Sequence, residues 1–339
     1  MRILKPILIG LALLFVASVE AQEAKEAQPD RQVRVPVTLE PGLTLEIKDR
    51  YQFEDQDGLG FVVTSRSRAI VDGKLESGEF EWRASPSGEI EFEVTNAPDG
   101  LGPILEAIIK EFEAFEYFYL SDAQGFAVNL SRRELIDAQI VKATERVVND
   151  KDLLAKVKPL GFGKPVLETI FAEFASEFGS EEPTNQFGAF MELQRSAFLL
   201  AGAELYVDFT TEFDSIKYID GFGTFYETLV NVWVENLDDE GRLHVYFEET
   251  YSEDQLAKIK TVLKEFIAEN RTEAEAAEYD KLEAATDNIS YIRYGDIWLD
   301  LSSGLPVGGE FRTENSHIEG SETSTYSFEI TQQPVVAAE

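Results

Sequence analysis

From Val33 the chain alternates: Val33, Val35, Val37 and Leu39 are apolar at every second position. That is the period of a strand with one buried face. Leu43, Leu45 and Ile47 repeat the pattern after Pro41-Gly42. Asp57-Gly58 separates Tyr51–Phe53 from Phe61–Val63 and predicts a hairpin turn. Asp72-Gly73 and Ser87-Gly88 punctuate further strands, including Phe80–Trp82 and Ile90–Val94. The whole stretch reads as an antiparallel meander with one wet face.

The period then changes. Pro103 suits a first helical turn, where its missing donor is not needed. Leu105, Ile108, Ile109, Phe112 and Phe115 fall on one helical face. Phe118 to Leu130 predicts a hairpin around Asp122–Gly125. Ser131-Arg-Arg-Glu134 has the spacing of a capping box, opening a helix through Leu135, Ile136, Ile140 and Val147 that breaks near Asn149-Asp150. Pro165 to Phe178 predicts a shorter helix with Ile170, Phe171, Phe174 and Phe178 inward, stopped by Gly179. Residues 187–202 fit helix or strand.

Strands return at Leu205–Phe209, Val230–Val234 and Leu243–Phe247, the last two joined across Asp238–Gly241. Ser252-Glu-Asp-Gln255 is a second capping box. It opens a helix with Leu256, Ile259, Leu263, Phe266 and Ile267 on one stripe, running to about Ala285. Three strands finish the chain, Ile289–Leu301, Leu305–Glu314 and Thr323–Ile330. Grouped strands separated by helices predict an α+β fold with an antiparallel sheet. No Pro- or Ser-rich linker divides the chain, so residues 34–333 are expected to form a single domain, followed by a flexible tail at 334–339.

The N-terminus adds a compartment. Arg2 and Lys5 precede an apolar run from Ile7 to Val16, and small residues lead to Ala21. These are the parts of a secretory signal peptide over residues 1–21, cleaved between Ala21 and Gln22. The run is shorter than the roughly 20 residues a membrane-spanning helix needs, so the mature chain is expected to carry no transmembrane segment. Residues 22–33 are small and polar, a flexible leader. The expected location is the periplasm or the extracellular medium.

Composition narrows the chemistry. The 339 residues carry a formal net charge of −34 and no cysteine. Such a charge repels nucleic acid and anionic headgroups, so no nucleic-acid partner is expected. A solvated surface suited to salty water, or a cationic or calcium partner, accounts for it. Without thiols there is no disulfide, thiolate metal site or cysteine nucleophile. His244 and His317 are the only histidines, and no nucleophile elbow, phosphate loop or dinucleotide fingerprint accompanies them. Asp55-Gln-Asp57-Gly58 begins like a calcium loop but lacks the later acidic ligands, and reads better as a hairpin tip. No cofactor, metal ligand or catalytic residue is assigned.

Phenylalanine is abundant, at 24 residues. Phe112, Phe115, Phe171 and Phe174 lie three apart in two pairs, each pair on one helix face. They fit a packed core, or the lining of an apolar pocket between helices and sheet.

The stretch Gly295-Asp-Ile-Trp298-Leu-Asp300-Leu-Ser-Ser-Gly304-Leu-Pro306-Val307 resembles the end of exported half-barrel proteins. These are the periplasmic lipoprotein-carrier-like superfamily and related uncharacterised exported families. The chain is longer than the simple carriers and lacks the acylation cysteine of their lipoprotein members. The resemblance implies a curved antiparallel sheet, half-barrel-like, covered by several helices, with an apolar small molecule or lipid as the possible ligand. It supplies no catalytic residues. The expected function is therefore an exported, non-enzymatic protein binding an apolar or lipid-like ligand in a sheet–helix cavity. A structural or protein-interaction module with a solid core and a carboxylate-dependent hydrolase are the alternatives.

Overall fold

The computed structural model describes residues 32–97, 101–125, 127–170, 198, 200, 202–207, 210–219, 224–271, 276–317 and 320–333. In chain order the strands are β1 (Gln32–Arg34), β2 (Thr44–Asp55), β3 (Gly60–Lys74), β4 (Phe80–Pro86), β5 (Glu91–Asn96), β6 (Tyr117–Ser121) and β7 (Ala127–Leu130). They continue as β8 (Glu204–Tyr206), β9 (Thr211–Ile219), β10 (Thr224–Leu237), β11 (Arg242–Tyr251), β12 (Ser290–Asp300), β13 (Leu305–His317) and β14 (Gly320–Gln333). The helices are α1 (Leu101–Glu113), α2 (Arg133–Val148), α3 (Lys151–Val157), α4 (Glu253–Asn270) and α5 (Ala276–Thr286). Residues 164–170 are also helical. No helix among the described residues is long and apolar enough to cross a membrane.

Twelve strands form one antiparallel sheet in the order β7-β6-β4-β3-β2-β14-β13-β12-β11-β10-β9, with β5 on β3. The fold is α+β. Most neighbours are joined by a hairpin, but β14 lies beside β2 over the full register from Glu322↔Asp55 to Gln333↔Thr44. That pairing stitches the two halves of the chain into one sheet. The side chains alternate across it as the pleat requires. Leu243, Val245 and Phe247 of β11 are buried, and so are Ile297 and Leu299 of β12. The intervening His244, Tyr246, Asp296 and Trp298 point to the outer face.

Helices cover the core face toward both ends of the sheet. Ile104, Leu105 and Ile108 of α1, Ile136 and Ile140 of α2, and Leu153 and Val157 of α3 share one core with Trp82, Tyr119 and Phe61. Ile259 and Leu263 of α4 pack on Ile289 and Tyr251 in a second, smaller cluster.

Several expected boundaries move, each for a local reason. Only Gln32–Arg34 of the first alternating run is strand, and it pairs with β8 rather than β2. Pro36 cannot donate to a ladder, so Val35 and Leu39 are buried without a strand around them. Of the leader expected over residues 22–33, Gln32 and Val33 are strand; residues 22–31, and Ala21 before them, lie outside the described residues. Asp72-Gly73 is a bulge within β3, with a register shift between Val71 and Gly73. The turn falls later, where Gly78 at φ +95° donates to the Leu75 carbonyl over 3.0 Å.

Ser131 does not cap α2. Its hydroxyl donates to Glu81 (3.2 Å), and Arg132 takes the N-cap position in a left-handed conformation while pairing with the same carboxylate at 2.7 Å. The guanidinium's hydrogen bond holds the Glu81 carboxyl below its ordinary pKa. By contrast, Ser252 does cap α4, accepting from the Gln255 backbone N–H at 3.2 Å. The Gln255 side chain closes no box; it reaches Glu227 instead, at 2.8 Å. The long helix expected to Ala285 is two helices, because Arg271 turns extended after Asn270 and pairs with Asp280 of α5 at 2.6 Å. The break at Asn149-Asp150 is where expected, with Asp150 accepting from the N–H groups of Asp152 and Leu153.

Candidate functional site

The core face of the sheet carries a ladder of rings that only the strand order reveals. Phe92 of β5 lies 5.8 Å from Phe61 of β3. Phe61 lies 6.0 Å from Tyr51 of β2, and Tyr51 lies 6.2 Å from Tyr326 of β14. Tyr326 stacks on Phe311 of β13 at 5.3 Å, and Phe311 meets Phe247 of β11 edge-on at 6.1 Å. Six strands thus contribute six rings in contact range.

The last contact spans a whole strand. Gly295 of β12 sits in register between Phe247 and Phe311. A Cβ there would lie 2.6 Å from the Phe311 Cβ, so the two rings meet only because β12 offers no side chain. Phe61, Phe247, Phe311 and Tyr326 are buried, while Tyr51 and Phe92 are half-buried.

Two polar islands interrupt this apolar face. In the first, Asp49 of β2 accepts from the Ser65 hydroxyl at 2.7 Å. Burial pushes the Asp49 carboxyl above its ordinary value of 3.8, against the opposing pull of the Ser65 hydrogen bond. A carboxyl whose pKa rises on folding favours the folded state when protonated. Its contribution is fully present below 3.8 and is lost as pH climbs through the raised value. Asp49→Asn is therefore expected to be more stable than the parent near neutral pH, with the advantage vanishing as pH falls toward 3.8. Urea midpoints across that range measure it, and an advantage that grows in acid would contradict the assignment.

In the second island, Glu249 of β11 is directly opposite Arg293 of β12. Their side chains are 0% and 1% exposed and form an ion pair at 2.8 Å. The Thr228 hydroxyl donates to the other carboxylate oxygen at 2.7 Å, and Tyr291 donates at 3.1 Å. The guanidinium carbon lies 5.7 Å from the Phe247 ring centre and 5.6 Å from that of Phe311, where the rings favour a cation. The pair therefore closes one end of the ladder.

The four phenylalanines expected to line a pocket are divided. Phe115 follows the end of α1 and is buried in the core, 6.2 Å from the Tyr117 ring. Phe112 lies on α1, but its side chain is outside the described residues, as are Phe171 and Phe174. The histidines do not meet. His244 is in register with Trp298 and Gly308, and His317 lies nine positions further along β13, about 30 Å at strand rise. His244 instead hydrogen-bonds Asp296 at 2.7 Å. Asp55 accepts from the Leu59 N–H at 2.7 Å within the β2–β3 turn, in keeping with a hairpin tip. Among the described residues no group of three or more metal-ligating side chains forms.

Glu249, Arg293 and Asp49 are not among the residues that motifs or helical period single out. The signal that finds them is phase: each charge occupies a core-face position of an alternating strand. Comparison with known families, curated proteins and solved structures gives no match.

Proposed function

We propose that the chain is an exported, non-enzymatic protein that holds an apolar or lipid-like ligand against the core face of a half-barrel sheet, beneath its helices. The ring ladder is the observation that carries this reading. A row of aromatic faces from Phe92 to Phe247 crosses most of the sheet, with Tyr51 and Phe92 only half-covered. Contiguous apolar rings with a few placed polar groups are what small-molecule sites use. Asp49, only half-covered, is the polar group on this face available to a ligand's polar end, while the fully buried Glu249–Arg293 pair is part of the core.

The two core-face carboxylates do not form a hydrolytic pair. Asp49 and Glu249 lie four strands apart, about 19 Å along the sheet at ordinary strand spacing. Paired hydrolytic carboxylates sit about 5–9.5 Å apart.

Titration of the mature protein with cis-parinaric acid tests the reading. The parent is expected to bind, and Tyr51→Ala to weaken binding about tenfold with little loss of stability, since that ring is only half-buried. Phe115→Ala serves as the contrast, losing stability because its ring is core. Failure of the parent to take up the probe, with native mass spectrometry of the secreted protein showing only bare polypeptide, would exclude ligand carriage. The export reading has its own check: the intact mass of secreted protein should begin at Gln22, and a chain still starting at Met1 would contradict it.

A further inference from the structure

The opposite face of the sheet carries a separate cluster. Two of the three tryptophans, Trp233 and Trp298, point outward, whereas Trp82 is fully buried. Trp233 contacts Tyr246 at 5.5 Å, and Tyr294 is half-buried on the same side. Trp298 is 38% exposed. In register, its neighbours are His244 on β11 and Gly308 on β13. The imidazole lies parallel to the indole, 4.8 Å away with 3° between planes, and Asp296 holds it there. On the other flank Gly308 presents no side chain, so the strand beside the indole stays low.

A cavity of ≈ 320 Å³ opens here, lined by Trp298, Gly308, Val307, Asp238 and Arg242. That is the lower edge of the range for small-molecule sites, about 300–1,000 Å³. Its polar wall is the Asp238–Arg242 ion pair at 2.8 Å. Asp238 is fixed by the turn, accepting from the N–H groups of Glu240 and Arg242.

We infer that this slot binds the ring of a neutral carbohydrate, with the pyranose C–H face on Trp298 and its hydroxyls on Asp238 and Arg242. Arg242 is shared between Asp238 and Glu240, the latter at 2.7 Å, so an anionic ligand finds no unpaired cation there, and the guanidinium already occupies the place a cationic ligand would take beside Asp238. A neutral polyol meets an acceptor and a donor side by side and an apolar plate beneath. A flat indole backed by a fixed imidazole is pre-organised, which spares the cost of ordering it on binding. Tyr246, whose phenol burial and the carboxylates of Glu248 and Asp296 push further up, is a hydroxyl donor on the neighbouring part of the same face. The site is on the reverse of the ring ladder and does not depend on it.

The test is saturation-transfer NMR and tryptophan fluorescence on the mature protein with maltotetraose and with tetra-N-acetylchitotetraose. Tetramethylammonium chloride is the cationic comparison. At least one oligosaccharide is expected to bind with a Kd below about 10 mM, and Trp298→Ala to weaken it about tenfold or more. Trp298→Phe should recover part of the loss. Equal urea midpoints for parent and variants establish that folding is unaffected; should Trp298→Ala unfold, Val307→Lys blocks the slot from an outer position and takes its place. Absence of binding to both sugars, unchanged affinity in the slot variants, or binding of tetramethylammonium in place of the sugars would each overturn the inference.

Discussion

Glu249→Gln is expected to destabilise the protein by about 3–5 kcal/mol, because it leaves the Arg293 charge buried without its counter-ion. The side chains are 0% and 1% exposed, so water cannot replace the lost partner. Glutamine keeps the size and can still accept from Thr228, which isolates the charge from the packing. Glu249→Leu with Arg293→Met removes both charges and keeps an apolar fill. That double variant is expected to lie much closer to the parent than Glu249→Gln does, since a buried pair replaced whole is often neutral or stabilising. Chemical denaturation of the single and double variants gives the coupling energy directly. A Glu249→Gln loss under about 1 kcal/mol would mean that the guanidinium is stabilised chiefly by the rings of Phe247 and Phe311.

That pair also shows what the sequence could and could not disclose. Three hairpins were legible where a turn signal met two alternating runs, whereas Asp72-Gly73 proved a bulge and Ser87-Gly88 leads to β5, which pairs with β3 rather than β4. Asp57-Gly58 gave β2–β3, now seen with Phe53 opposite Phe61, and Asp238–Gly241 gave β10–β11. The turn at Asp122–Gly125 gave β6–β7, with Gly125 at φ +89°. These depend on neighbours in the chain. β9 was missed, because Thr-Glu-Phe-Asp-Ser-Ile-Lys-Tyr-Ile places few apolar residues in phase over Thr211–Ile219. The β14–β2 pairing was out of reach for a deeper reason: its partners come from opposite ends of the chain, and no local pattern encodes a contact of that separation. The ring ladder inherits the same difficulty. Its six residues are scattered from Tyr51 to Tyr326 and line up only once the strand order is known. The helical phenylalanines are legible because a helix brings its own residues together by period alone. Glu249 and Arg293, in contrast, stood in plain alternation with Val245, Phe247 and Ile297, and were readable as charges in apolar phase.

Trp82→Ala is expected to cost about 3–5 kcal/mol, the range for truncating a buried large aromatic. Trp82 is the largest of the fully buried side chains, at 0% exposure. It stands opposite Val71 on β3 and Tyr119 on β6, stacked on the Tyr119 ring at 5.8 Å with 9° between planes. Its edge meets Phe198 at 6.2 Å, which ties the β4–β6 region to residues far along the chain. The neighbourhood has little room to collapse. A Cβ on Gly125 would lie 2.8 Å from the Phe198 ring, so that ring is already held on its other side. The indole N–H donates to the Ser121 hydroxyl at 2.9 Å, and that hydroxyl donates onward to the Asp122 carbonyl at 3.0 Å. Trp82→Phe keeps most of the ring volume and deletes the N–H. Its expected cost is about 1–2 kcal/mol, the loss of one buried hydrogen bond and a little packing. The predicted order is thus Trp82→Ala, then Trp82→Phe, with Trp298→Ala on the outer face within about 0.5 kcal/mol of the parent, as surface substitutions usually are. Urea denaturation of the three variants tests the order. Equal losses at Trp82 and Trp298 would show that the two faces of the sheet are not divided into core and surface as described.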